Sequence, residues 1–208
     1  MLKGVKNILF DLGGVLFHID YQRTIDAFKN LGINDFEKYF TQHQQNDLFD
    51  AFETGKINQK VFVTTLQDSL PACSDQEIID AWNAMLISLP QEYLKFLDRL
   101  SKKYRLFLLS NANNIHIQFV NTFLKENYNI PSINQFFERV YYSHEIGMRK
   151  PYKCTFKWVL KDANILAEET LFIEDTAQHI EGAKQAGLKT YHLESNTPII
   201  SLFPGTTL

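Results

Sequence analysis

Apolar residues fall in short runs along this chain, and the runs alternate with stretches of helical spacing. Asn7-Ile8-Leu9-Phe10 is the first run, and Asp11-Leu12-Gly13-Gly14 breaks it. A continuous apolar run ended by glycine fits a strand buried on both faces and entering a tight loop. Residues 105–109, 139–142, 170–173 and 188–193 carry the same pattern. Between them, residues 115–124, 152–160 and 178–186 space their apolar positions as helices do, the last ending before Gly187 as a stop signal. Strands alternating with helices at this spacing predict right-handed βαβ units and a parallel sheet.

The alternation is interrupted once. Residues 12–104 separate the first strand from the second, far more than an ordinary crossover needs. This interval is rich in helix signals. Residues 21–31 and 35–40 have helical spacing, and Asn58 is an N-cap for a helix over 59–70. Ser74-Asp75-Gln76-Glu77 reads as a capping box before a helix over 78–86. Pro90 opens a further helix over 91–100 that belongs with the sheet. The expected fold is therefore α/β. Residues 1–17 and 90–208 form the sheet-bearing core, and 18–89 form a helical module inserted after the first strand. No internal repeat or low-complexity linker is visible.

Composition narrows the function classes. With 45% hydrophobic and 22% charged residues, the chain is an ordinary globular one. It lacks the roughly 18 uninterrupted apolar residues of a membrane helix. A net charge of −3 gives no broad basic face for nucleic acid. Cys73 and Cys154 make neither a disulfide framework nor a CxxC pair. The N-terminal segment lacks the pattern of a secretion signal, so a cytoplasmic location is expected.

In open α/β sheets, ligands bind beyond the carboxyl ends of the strands. Asp11 follows the first strand, and Ser110 and Asn111 follow the second. Lys150 lies in the loop after the third, and Glu174 and Asp175 follow the fourth. Each has an ordinary structural reading. Asp11 suits a glycine turn, Ser110 and Asn111 suit a helix N-cap, Lys150 suits a solvated loop, and the acid pair suits a helix start. Their convergence on one sheet edge favours chemistry instead. Like charges about 4 Å apart repel by roughly 4 kcal/mol at an effective dielectric of 20. One lysine cannot relieve three carboxylates. A hard divalent cation such as Mg²⁺ can, and it also accepts phosphate oxygens. Lys150 and Ser110 would hold the remaining phosphate oxygens, and Asp11 would be placed to attack phosphorus.

These residues also carry a resemblance. Phe10-Asp11-Leu12-Gly13-Gly14-Val15-Leu16, Leu109-Ser110-Asn111, Gly147-Met148-Arg149-Lys150-Pro151 and Phe172-Ile173-Glu174-Asp175 resemble the ordered motifs of the haloacid dehalogenase-like (HAD) hydrolase superfamily. Ile180-Glu181-Gly182-Ala183-Lys184-Gln185-Ala186-Gly187 is similar as well. Phe52-Glu53-Thr54-Gly55-Lys56-Ile57 resembles the cap of the subgroup that contains α-D-glucose-1-phosphate phosphatase. The resemblance implies a Rossmann-like core with a helical cap and Mg²⁺-dependent hydrolysis of small phosphorylated metabolites, sugar phosphates among them. By the same resemblance, Asp11 is nucleophile and metal ligand, and the Gly13 carbonyl is a second metal contact. Ser110, Asn111 and Lys150 are implied to bind phosphate. Asp175 is implied to be the late metal ligand, with Glu174 an outer or water-mediated acid.

One departure stands out. Most phosphatases of the superfamily carry a second Asp two residues after the nucleophile, as general acid and base, and here that position is Gly13. Losing a general acid typically costs about 10²–10⁴-fold. The substrate could have a leaving group that needs little protonation, such as an anomeric sugar phosphate. His18 or Asp20 could substitute. Or the protein could bind phosphoryl groups with little turnover. His179 stands where relatives often have Asn. A metal-independent 2-haloacid dehalogenase is a further alternative on the same fold, against which the Glu174-Asp175 pair argues. No G-x-G-x-x-G follows the first strand, so a nucleotide-binding dehydrogenase is not supported.

Overall fold

The structure, a computed structural model, describes residues 2–38, 47–194 and 197–204. The strands of the core are β1 (Asn7–Phe10), β4 (Arg105–Ser110), β5 (Arg139–Tyr142), β6 (Thr170–Glu174) and β7 (Lys189–His192). They form one parallel sheet in the order β5-β4-β1-β6-β7. The short strands β2 (His18–Ile19) and β3 (Leu86–Ser88) pair antiparallel outside it. The helices are α1 (Tyr21–Leu31), α2 (Asp47–Glu53), α3 (Gln59–Gln67), α4 (Asp75–Asn83) and α5 (Gln91–Ser101). They continue with α6 (Asn114–Tyr128), α7 (Ser143–Ile146), α8 (Lys153–Asp162) and α9 (Ala177–Gln185).

The all-apolar strands are buried on both faces, as their pattern predicts. Ile8, Phe10, Leu106, Leu108, Leu171 and Ile173 share one apolar cluster with α5 and α6. The alternate residues Leu9, Phe107, Leu109 and Phe172 share another with α8 and α9. This is a Rossmann-like three-layer core. From β1 the chain moves outward to β4 and β5, then returns to β6 on the other side of β1. The reversal opens a crevice beyond the carboxyl ends of β1 and β6, where such sheets bind ligands.

Helices α1 to α4 lie between β2 and β3 in sequence and have their own core. Phe28 stacks on Phe36 and Phe52 on Phe62, each at 4.1 Å between ring centroids, and Trp82 packs against Phe49 and Phe62. The caps foreseen here form. Asn58 Oδ1 accepts from the Val61 amide at 3.0 Å, and Ser74 and Glu77 cap each other's backbone amides. Asp20 caps α1 by accepting from the Gln22 amide at 2.9 Å.

Several boundaries differ from expectation. The helix foreseen over 59–70 stops at Gln67, because Pro71 disfavours helical backbone at Leu70. The helix foreseen over 78–86 runs from Asp75 to Asn83, and Leu86 instead starts β3. Within 35–40 only a 3₁₀ turn, Phe36–Lys38, is seen, and residues 39 and 40 lie outside the described residues. The β2/β3 pair and α2 were not foreseen. Two- and three-residue strands carry too few positions for a period to show.

Two joints hold the helices on the core. At the first, the Trp82 indole donates to Asn113 Oδ1 at 3.4 Å, and His116 Nε2 lies 3.1 Å from the Trp82 carbonyl. Asn113 is also the N-cap of α6, accepting from the His116 amide. The second joint is Gly55 (φ +69°), where a Cβ would sit 2.1 Å from the His144 carbonyl oxygen. Only a glycine lets the chain after α2 approach the backbone of α7 this closely.

Candidate active site

The sheet register brings the predicted residues together. Asp11 follows β1 and still donates its amide to the Ile173 carbonyl at 3.0 Å. Ser110 ends β4, and Glu174 ends β6. Gly14 (φ +75°) turns the chain sharply after Asp11, and a Cβ there would meet Asp175 Oδ2 at 2.2 Å. Glycine at this turn is what lets the β1 loop lie against Asp175. Asp11, Glu174 and Asp175 each offer a carboxylate oxygen, and these oxygens lie within 4.8 Å of one another.

Lys150 sits among them, 1% exposed. Its Nζ is 2.7 Å from Asp11 Oδ1 and 2.6 Å from Glu174 Oε2. Asn111 fixes the lysine through the backbone. Its Nδ2 donates to the Lys150 carbonyl at 3.0 Å, and its Oδ1 accepts from the Lys150 amide at 2.9 Å. The Asn111 side chain thus positions Lys150, and Asn111 also lines the cavity beside Ser110. Ser110 is buried and lines the cavity beside Asp11. Asn113, not Ser110 or Asn111, caps α6, and Lys150 is buried rather than solvated, while Glu174 Oε1 accepts from the Thr176 amide at the start of α9 at 3.2 Å.

The electrostatics follow from crowding. Burial, then the nearby Glu174 carboxylate, push Asp11 well above the usual carboxylate range, with Lys150 opposing them. Burial and the bond and charge of Glu174 raise Asp175 to about 7. Glu174 is buried too, but Lys150 and then His179 hold it far below its ordinary value. Burial works against the Lys150 charge, yet Asp11 and Glu174 outweigh it and keep the ammonium above its usual range.

The acid cluster opens into a cavity of about 80 Å³ between the core and helices α1 to α4. Opposite Asp11, its wall carries Tyr21 from α1, Glu53 from α2 and Met85 just before β3. Arg149 bridges the gap, with Nη1 2.8 Å from Asp50 Oδ1 and Nη2 3.3 Å from Glu53 Oε2. Phe17 and Tyr21 also line the cavity, while Phe49 and Phe52 are core of the helical module.

His18 and Asp20 lie outside the lining of the cavity that contains Asp11, and His18 lines a neighbouring cleft that Asp175 shares. His18 is exposed beside Ser88, and Asp20 is committed to its capping bond. Glu53, Arg149 and His116 line it without having been singled out. Glu53 and Arg149 each lay inside a quoted motif, but nothing in a linear sequence pairs residues so far apart. His179, whose role was open, lies with Nδ1 3.0 Å from Glu174 Oε2 and lines the same cavity.

A doubly wound sheet with an acidic, lysine-bridged crevice under a helical insertion defines an α/β hydrolytic enzyme that handles anionic groups. Residues 8–193 match the family of haloacid dehalogenase-like hydrolases, and the chain belongs to that family. It is 29% identical over 194 residues to a D-ribitol-5-phosphate phosphatase of Bacteroides thetaiotaomicron, covering 92% of this chain and 93% of that protein. A HAD family enzyme from the same organism was crystallised as an aspartate-to-alanine mutant with magnesium and inorganic phosphate. It shares 35% identity and a TM-score of 0.89 over 96% of this chain and 98% of that one. A predicted HAD-like family hydrolase from Porphyromonas gingivalis follows at 31% identity and TM-score 0.87, over 95% of each chain.

Proposed function

We propose that the protein is a magnesium-dependent phosphatase of small phosphorylated metabolites, of the sugar- or polyol-phosphate type, working through an aspartyl-phosphate on Asp11. The observation that carries this reading is three carboxylates with ligand oxygens within 4.8 Å, two of them paired with the buried Lys150. Two of those acids resist ionisation where they stand, which is what a missing divalent charge would relieve. Asp11, Asp175 and the Gly13 carbonyl would hold Mg²⁺, with Glu174 behind them. When bound, the cation neutralises phosphoryl charge. The magnesium in the crystals of the Bacteroides relative supports this choice of metal.

Asp11 attacks phosphorus, the ester oxygen departs, and the aspartyl-phosphate forms. Lys150 stays beside Asp11, fixed by Asn111, and its charge faces the transferred phosphoryl oxygens together with the Ser110 hydroxyl. Water then attacks phosphorus and releases Asp11. Residues 18–89 would act as the cap and 1–17 with 90–208 as the catalytic core. A cavity of 80 Å³ is smaller than the roughly 150 Å³ that accepts one benzene ring, so the cap parts to admit a metabolite and closes to exclude water.

A second reading, a phosphoryl-binding module with little turnover, is favoured by one observation. No side chain stands at Gly13, and neither His18 nor Asp20 reaches the cavity. Phosphate release from sugar phosphates, polyol phosphates and p-nitrophenyl phosphate, with and without Mg²⁺, separates the readings. Mg²⁺-dependent release supports the phosphatase, and saturable phosphate binding without release supports the module. Chloride release from 2-chloropropionate without metal would replace both with a dehalogenase. We infer a cytoplasmic setting from the free Cys73 and Cys154. Among the described residues, no helix is long and apolar enough to cross a membrane.

A further inference from the structure

The cavity wall facing Asp11 is built from a different chemistry than its floor. Glu53, 5% exposed, reaches the cavity from the end of α2. Its partner Arg149 is shared with Asp50, which Lys56 also approaches at 3.6 Å. The cations lining the cavity among the described residues are Arg149 and Lys150, and both are already held by carboxylates. Asp11, Glu53 and Asp175 line the same cavity, with Glu174 behind Lys150, so carboxylates outnumber these two cations.

No cation then remains for a second anionic group on the substrate, and the buried Glu53 carboxylate would face it directly. What Glu53 can do is accept hydrogen bonds, which a hydroxyl donates and a carboxylate or second phosphate cannot. We propose that Glu53 is a specificity-determining residue that accepts hydrogen bonds from hydroxyls of an uncharged, polyhydroxylated leaving group and rejects substrates with a second anionic group. This deepens the phosphatase reading and rests on it for the position of the phosphoryl group. Arg149 holds the Glu53 carboxylate at the wall, with Nη2 3.3 Å from Oε2.

The test uses a matched pair, D-ribitol 5-phosphate and 5-phospho-D-ribonate, which differ at the far terminus by a hydroxymethyl group against a carboxylate. The wild-type protein with Mg²⁺ is expected to favour the ribitol ester in kcat/KM by about 10- to 100-fold, the range set by one like charge nearby. In Glu53→Gln that ratio should narrow by about tenfold or more, mainly through a lower KM for the ribonate and a higher KM for the ribitol ester. Calorimetric titration of both compounds into the Asp11→Asn protein gives the same comparison as binding constants, without turnover. A wild-type ratio within threefold of unity would overturn the inference, whether or not Glu53→Gln folds. So would an unchanged ratio in a folded Glu53→Gln protein. If neither compound releases phosphate, the phosphatase reading falls, and the calorimetric preference still decides the charge selection. If phosphate is released from both alike, only the role of Glu53 falls.

Discussion

Lys150 keeps its charge in a place where burial alone would remove it, because Asp11 and Glu174 both lie within 2.7 Å of its ammonium. The same pairing leaves Asp11 one carboxylate oxygen short of free, and placed where a phosphoryl group would arrive. Asp11→Asn should abolish phosphate release, by roughly 10³-fold or more, since the nucleophile itself is lost. The unfolding midpoint of the metal-free protein should hold or rise, because an acid whose ionisation is opposed there is removed. Retained turnover would take Asp11 out of its role. At Gly13, an added Cβ would lie 3.1 Å from Ile19 Cδ1, the flexible end of a side chain. Gly13→Asp therefore fits with a small shift of Ile19. It should raise turnover of alkyl phosphates relative to p-nitrophenyl phosphate by about tenfold or more if proton transfer limits the rate. An unchanged ratio, measured by phosphate release, would mean that another group already delivers the proton.

Between elements, the joint of α4 with α6 is built on a neutral histidine. His116 stacks on Trp82 at 4.8 Å, with Nε2 against the Trp82 carbonyl and Nδ1 3.2 Å from Asn113 Nδ2. The tautomer that satisfies both contacts carries its proton on Nε2. Burial lowers the His116 pKa to about 4, against about 6.5 in the unfolded chain. Between those values the unfolded state binds the proton and the folded state does not, so this contribution is complete above pH 6.5 and is lost as pH falls towards 4. The loss is about 3 kcal/mol at most. Denaturant unfolding of wild type and His116→Gln from pH 7.5 to 4.5 should show their stability difference narrowing as the medium becomes acid. A constant difference would mean that His116 is charged in the folded state. The opposite joint combines the close fit of Gly55 against the His144 carbonyl with the ion pairs of Arg149 to Asp50 and Glu53.

At the scale of the whole molecule, the cavity lies between the sheet edge and helices that two joints, among other contacts, hold against it. One is Trp82 with Asn113 and His116, and the other is Gly55 with Arg149, Asp50 and Glu53. A ligand that ties β1 to β6 stabilises the fold as a unit. Mg²⁺ at about 100 times its dissociation constant should add roughly 2.7 kcal/mol. For a chain of this length that is about 5–10 °C in the unfolding midpoint, read by scanning calorimetry. EDTA should reverse the gain, and Asp175→Ala should abolish it. An equal gain in Asp175→Ala would place the cation elsewhere.

Much of the arrangement is legible along the chain. Strands buried on both faces announce themselves as unbroken apolar runs, so the sheet and the residues beyond its strand ends, Asp11, Ser110 and the Glu174-Asp175 pair, could be read from period and position. Asn58, the Ser74 capping box and the boundaries of α1 were readable for a similar reason, since a cap is a contact within one turn of helix. What only the tertiary structure decided are contacts between residues tens to a hundred positions apart. Asn111 brackets the backbone of Lys150, 39 positions on, and Glu53 meets Arg149 at the cavity. Periodicity reports which face of an element is buried. It does not report which charged side chains meet when two buried faces are brought together, because that depends on how the elements pack and not on their order.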